Sequence, residues 1–179
     1  MPLRPPSYPV PVPGKLECLA MARLHDNPPP QIRLFLVDDE PIVRRGLQFL
    51  ISGEPGLTVC GEAENEHDAL EGILALQPDL AVVDLSLKLG DGMALITQLH
   101  HLCPALRILV FSMHQEVHFA ATAFAAGAHG YVVKEEGTER LLEAIRVIMA
   151  GERYLSEQFA AKAPGLVPRA GPRVRTRAR

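Results

Sequence analysis

Residues 32–47 read IRLFLVDDEPIVRRGL. Positions 33–37 form a short run dominated by Leu, Phe and Val. Three acidic residues follow, then Pro41, then apolar residues at helical spacing. Successive strand side chains point to opposite faces, so an apolar run without polar alternation implies a strand covered on both sides. Pro41 suits the first turn of a helix, where its missing N–H would have had no partner. The stretch therefore predicts a strand at 33–37, an acidic loop of Asp38, Asp39 and Glu40, and a helix at 42–52.

The same alternation continues along the chain. Further apolar runs predict strands at 57–61, 80–83, 107–111 and 130–133. Helical stretches are expected at 66–76, 93–101, 116–126 and 138–150. In the last of these, Leu141, Leu142, Ile145, Ile148 and Met149 share one face, with Glu139, Arg140, Glu143 and Arg146 largely opposite. Pro78, Pro104 and Gly127 stand where helices should end. Five strands each followed by a helix imply an α/β fold with a five-stranded parallel sheet, doubly wound by helices on both faces.

The chain has 179 residues, enough for one ordinary domain plus tails. The first thirty hold nine of the sixteen prolines, so 1–30 reads as a Pro-rich disordered leader, and Met21 could be an alternative start. No apolar run reaches membrane-spanning length, and the prolines break any signal-peptide layout. The three cysteines (Cys18, Cys60, Cys103) lack a CxxC pair, which argues against a disulfide framework or a zinc site and fits a reducing cytoplasm. The net charge of −3 conceals a division. Residues 31–161 carry nine Lys/Arg against nineteen Asp/Glu, whereas 162–179 carry six basic residues and no acidic one. An acidic body repels nucleic acid, and a basic tail attracts any polyanion.

In an open parallel sheet, ligands bind beyond the carboxyl ends of the strands. Asp38, Asp39 and Glu40 follow the first strand, Asp84 the third, Ser112 the fourth and Lys134 the fifth. Three carboxylates gathered on one rim repel one another. A divalent cation would relieve that repulsion, and hard oxygen donors favour Mg²⁺. A carboxylate oxygen could then attack phosphorus, with Lys134 and Ser112 holding the phosphoryl oxygens. Each residue also has an ordinary use: the acidic run can cap a helix, Asp84 can make an Asx-turn, and Lys134 can be a surface charge. Asp91-Gly92 reads as a turn with a helix cap. The coincidence of four strand ends carrying four complementary groups favours the chemical reading.

LFLVDDEPIVRRGL, AVVDLSL, LVFSM and GAHGYVVKEE, in that order, resemble the signature segments of two-component response-regulator receiver domains. GAHGYVVKEE with the later AGERYLSE resembles the NarL/FixJ (LuxR-type) subgroup. The resemblance implies a flavodoxin-like, CheY-like receiver with strand order 2-1-3-4-5, occupying 31–152. It further implies phosphorylation of Asp84. Asp39 would be a direct Mg²⁺ ligand and Asp38 one acting mainly through a metal-bound water, with Asp84 and the Ser86 main-chain carbonyl completing the protein ligands. Ser112 would be the hydroxyl that moves toward the phosphoryl group, Lys134 its ion-pair partner, and Tyr131 the aromatic whose ring turns inward with Ser112. Ser86 and His114, two positions beyond Asp84 and Ser112, are expected to set the lifetime of the acyl phosphate by controlling water access.

Two departures from many receivers are visible: Leu87-Lys88-Leu89-Gly90 lacks a proline, and Glu135 rather than proline follows Lys134. Neither removes a reacting group. No histidine resembles a phospho-donor, so the donor would be a sensor histidine kinase, a phosphotransfer protein or a small acyl phosphate. Receivers of this subgroup continue into a DNA-reading helix-turn-helix and regulate transcription. Residues 164–179, with three prolines, two glycines and five arginines, cannot fold as one. Residues 153–179 thus read as a linker remnant and a disordered basic tail. The expectation is a stand-alone receiver or a truncated transcription factor, cytoplasmic, able to form a homodimer when phosphorylated, with DNA binding disfavoured. It is not an enzyme beyond self-catalysed phosphotransfer and dephosphorylation. A Mg²⁺-dependent aspartyl phosphohydrolase is one alternative, although Ser86 occupies the position where such enzymes carry a second Asp. A DNA-binding regulator acting through the basic tail is the other.

Overall fold

In a computed structural model, residues 31–162 and 165–166 are described. The Pro-rich leader and most of the basic tail lie outside them. The elements run β1 (Ile32–Val37), α1 (Pro41–Ser52), β2 (Leu57–Ala63), α2 (Glu66–Leu76), β3 (Leu80–Val83), α3 (Gly92–Leu102), β4 (Arg107–Ser112), α4 (Val117–Ala126) and β5 (Gly130–Val133). A 3₁₀ turn (Lys134–Glu136), α5 (Thr138–Met149), β6 (Tyr154–Leu155) and α6 (Glu157–Lys162) follow.

All strand pairings are parallel, in the order β2-β1-β3-β4-β5-β6. The expected order 2-1-3-4-5 is present, but the sheet has six strands rather than five, and it continues beyond residue 152. The additional strand has only two residues. It joins because Tyr154 N donates to His129 O at 3.0 Å, while the Tyr154 side chain is buried and its hydroxyl donates to Glu143 Oε2 at 3.0 Å.

The continuous apolar strands are explained by two cores, one on each face. Phe35 and Val37 of β1 pack with Ile73, Leu95, Leu99, Ala120, Phe124 and Tyr131, under α2, α3 and α4. Leu34 and Leu36, the alternate residues, pack with Leu47, Ile51, Leu141, Ile145 and Ile148, under α1 and α5. The predicted amphipathic face of the last long helix is thus the face that closes the second core. Gly127 ends α4 at φ +114°, a backbone conformation that glycine reaches without a Cβ clash. The two cores fix the strands rigidly, and with them the height at which each strand releases its next residue.

Candidate functional site

Register gathers the carboxylates. Val37 of β1 pairs with Val83 of β3, so the two strands end level and Asp38 and Asp84 emerge side by side. Asp84 N donates to Val37 O at 2.8 Å, which ties the strand ends together. Asp39 follows on the same rim. One ligand oxygen from each of Asp38, Asp39 and Asp84 lies within 4.8 Å of the others. Asp38 and Asp84 are nearly fully buried, at 2% and 4% exposure.

Lys134 enters from β5, two strands away from β3. Its Nζ donates to Asp38 Oδ2 and to Asp84 Oδ2, each at 2.7 Å. Both carboxylates are desolvated, so the ammonium between them is the compensating charge that burial of such groups requires. Burial pushes the Asp38 carboxyl above its ordinary range, although hydrogen bonds from Lys134 and the Glu40 N–H pull the other way. Burial alone would lower the Lys134 pKa; the hydrogen bonds to Asp38 and Asp84 outweigh it and hold the ammonium above its ordinary value.

Asp38 Oδ1 accepts from Glu40 N at 2.8 Å, an Asx-type turn, and its carbonyl accepts from Arg44 Nη1 at 2.6 Å. The acidic run therefore shapes its own loop as well as lining the hollow. Ser112 is fully buried at the end of β4. Ser86 N donates to Asp84 Oδ1 at 3.2 Å, and Ser86 Oγ meets His114 Nε2 at 3.0 Å, so these two expected rim residues touch each other. His114 stacks on Phe119 with ring centroids 3.9 Å apart. Tyr131 is buried at 1% exposure, its hydroxyl donating to His114 O at 2.8 Å. Burial is the main reason its phenol is raised well above the ordinary range. The residues expected at the site thus lie around one end of the sheet, with the Asp38, Asp39 and Asp84 carboxylates close together and Lys134 bonded to Asp38 and Asp84.

Four participants were not foreseen. Lys88 Nζ lies 3.1 Å from Asp39 Oδ2. Arg44 braces the Asp38 carbonyl, as above. Glu66 of α2 accepts from Asp91 N at 3.0 Å and from Gln98 Nε2 at 2.7 Å, clamping the loop that follows Asp84. Gly92 lets α3 approach that loop: a Cβ there would stand 2.3 Å from Asp84 O. Asp91 caps α3 by accepting from Met93 N at 2.8 Å, in keeping with its reading as a turn and cap. A groove of about 640 Å³ lined in part by Leu74, Pro78, Cys103 and Met149 lies elsewhere and shares no residue with the carboxylates.

The family model for the response regulator receiver domain matches residues 34–146. The chain belongs to the response regulator receiver family. Among curated relatives, it is 38% identical over 130 residues to the DNA-binding transcriptional activator DevR/DosR of Mycobacterium tuberculosis, covering 73% of this chain and 60% of that protein. It is also 38% identical over 124 residues to the nitrate/nitrite response regulator protein NarL of Escherichia coli, covering 69% and 57% respectively. The chain therefore spans about 60% of the length of the curated relatives it matches. A crystal structure of a LuxR-family two-component response regulator from Aurantimonas sp. SI85-9A1 superposes with a TM-score of 0.71 at 40% identity, covering 73% of this chain and 94% of that one. Within the family, the relatives are of the NarL/LuxR type: one is named as a transcriptional activator, and the other two as response regulators.

Proposed function

We propose that the domain is the phospho-acceptor of a two-component phosphorelay and that Asp84 is the residue modified. The observation that carries this reading is the Lys134 ammonium, seated at 2.7 Å from both Asp38 and Asp84 with Asp39 alongside. In the transfer, an Asp84 oxygen forms a bond to phosphorus while the donor's P–N or P–O bond breaks, its electron pair leaving with the donor. Lys134 can follow the charge onto the phosphoryl oxygens, and Ser112 stands at the next strand end to bond another.

The donor set fits Mg²⁺: three carboxylates within reach of one another, hard and oxygen-only. Asp39 and Asp38 would hold the ion with Asp84 and the Ser86 carbonyl. When bound, it neutralises charge on the carboxylates and on the arriving group. Asp38 and Asp39 keep the hollow anionic, Lys134 orients Asp84, and the packed strand ends fix the spacing.

The donor would be a sensor histidine kinase or phosphotransfer protein, with acetyl phosphate as a small-molecule substitute. Output would be a changed surface near α4 and β5 that supports a homodimer, and in a longer protein like its relatives, control of transcription. Among the described residues no helix is long and apolar enough to cross a membrane. Incubation with acetyl phosphate and Mg²⁺ followed by intact-mass measurement tests the reading. One added phosphoryl group is expected, and none on Asp84→Asn; a wild-type mass that never changes would end it.

A further inference from the structure

The segment after α5 returns to the strand that carries the switch tyrosine. β6 pairs with β5 through Gly130↔Tyr154 and Tyr131↔Leu155, so the backbone of Tyr131 is tied directly to Leu155. Four residues later Phe159 of α6 is buried at 3% exposure, its ring 5.6 Å from the Tyr131 ring centroid. Lys162 Nζ lies 5.9 Å over the Phe159 ring, and Val133, Gln115, Glu135 and Glu136 border the same small recess. The surface beside β5 is therefore covered by the chain's own next segment.

Two features make that cover conditional. α6 has only six residues, too few to be stable as an isolated helix, so it depends on the contact it makes. Ser156, at its entry, buries a hydroxyl with no hydrogen-bond partner among the described residues, which weakens the seat. The seat also fits one state of the tyrosine. Here the Tyr131 ring is fully buried and hydrogen-bonded to His114 O, on the core face shared with α4. Phe159 belongs to the segment following β6, the strand outside β5. Phe159 shares that core face and packs against the inward Tyr131 ring, so a ring turned out of the core would take away the contact on which the seated α6 depends.

We propose that Tyr154–Lys162 is a reader of the phosphorylated state: α6 docks through Phe159 when Tyr131 is inward and lifts when it swings out. The proposal rests on the phospho-acceptor reading above, joined to the inward turn of Tyr131 with Ser112 that the receiver resemblance implies. Phosphorylation would thus order the chain where it leaves the sheet and fix the direction in which any following segment departs. Coupling of this kind is reciprocal, so a seated α6 must also favour the phosphorylated domain.

Hydrogen exchange of the full 179-residue chain, read on peptides covering 154–162, tests this, with intact mass recorded on the same samples. With acetyl phosphate and Mg²⁺, exchange of these amides should slow by about fivefold or more. Asp84→Asn should show no slowing. Phe159→Ala should exchange fast with or without the phosphoryl group, and should reach a lower phosphorylated fraction at limiting acetyl phosphate. Tyr131→Ala should still gain the group but lose the phosphorylation-dependent slowing. A wild-type chain that gains the phosphoryl group with unchanged or faster exchange at 154–162 overturns the reader while sparing the acceptor. A chain that gains none takes down both, and the mass distinguishes the two failures.

Discussion

At the scale of single residues, the site is a contest between burial and charge. Among the described residues, Lys134 is the only side chain that donates to both Asp38 and Asp84. Lys134→Met keeps the bulk but leaves two buried carboxylates without their counter-ion, a change that typically costs about 3–5 kcal/mol. Urea unfolding in EDTA near neutral pH should show a loss of roughly 3 kcal/mol. Asp38, already raised by burial, would be raised further in the folded variant, which then holds more protons than the unfolded chain. The deficit should therefore shrink as pH falls and widen as it rises. Under the phospho-acceptor reading, the Ser86–His114 pair would set lifetime rather than stability. Alanine at either position opens the rim over Asp84, and the phosphorylated half-life should change several-fold while the fold stays intact; an unchanged decay discards that role. The gathering of Asp38, Asp39, Asp84 and Lys134 was legible in the sequence because strand ends in a parallel sheet share a rim, and polar residues directly after apolar runs mark those ends. Lys88 and Arg44 were not legible. A basic residue on a loop or helix looks like any solvated charge until folding brings a carboxylate or carbonyl beside it.

At the scale of elements, the central strands were readable because both faces are dry. β3 and β5 fall where the apolar runs predict, and the others extend by one or two residues where edge or loop contacts add a ladder bond. β6 and α6 escaped because two and six residues carry no period; their structure comes from Tyr154 and Phe159 finding places in the two cores. The loop after Asp84 is held by α3 on one side and by Glu66 of α2 on the other. Gly92→Ala would drive a methyl into the Asp84 carbonyl, and overpacking of this kind costs typically 1–3 kcal/mol. The variant should lose about that much in chemical denaturation and should also be phosphorylated more slowly, because the displaced atom belongs to Asp84 itself. A variant that keeps wild-type stability and rate would show that the loop yields freely.

For the whole molecule, stability should depend on pH through a histidine just before β5, the strand whose other end leads to Lys134. His129 precedes β5 with both ring nitrogens facing N–H groups, Ile108 N at 3.2 Å and Arg107 Nη1 at 3.1 Å. Burial first, and the Arg107 charge second, lower its pKa to about 4 from 6.5. The folded ring therefore holds fewer protons than the unfolded one in that window. The stability it contributes is complete above 6.5 and is lost as pH falls toward 4. Because the ring keeps partial solvent access, the loss should be on the order of 1–2 kcal/mol rather than the full linkage value. His129→Gln should flatten this part of the stability profile; an unaltered slope would assign the acid sensitivity elsewhere.

The strand order has a consequence for biosynthesis. β1 and β3 are neighbours, so a chain emerging from the ribosome can bring Asp38, Asp39 and Asp84 together once its first three strands are out. Lys134 is made fifty residues after Asp84, and until it arrives Asp38 and Asp84 lack the ammonium that joins them, with only Lys88 beside Asp39. Translation of the GYVVK segment therefore supplies the fifth strand and the missing counter-charge in one step.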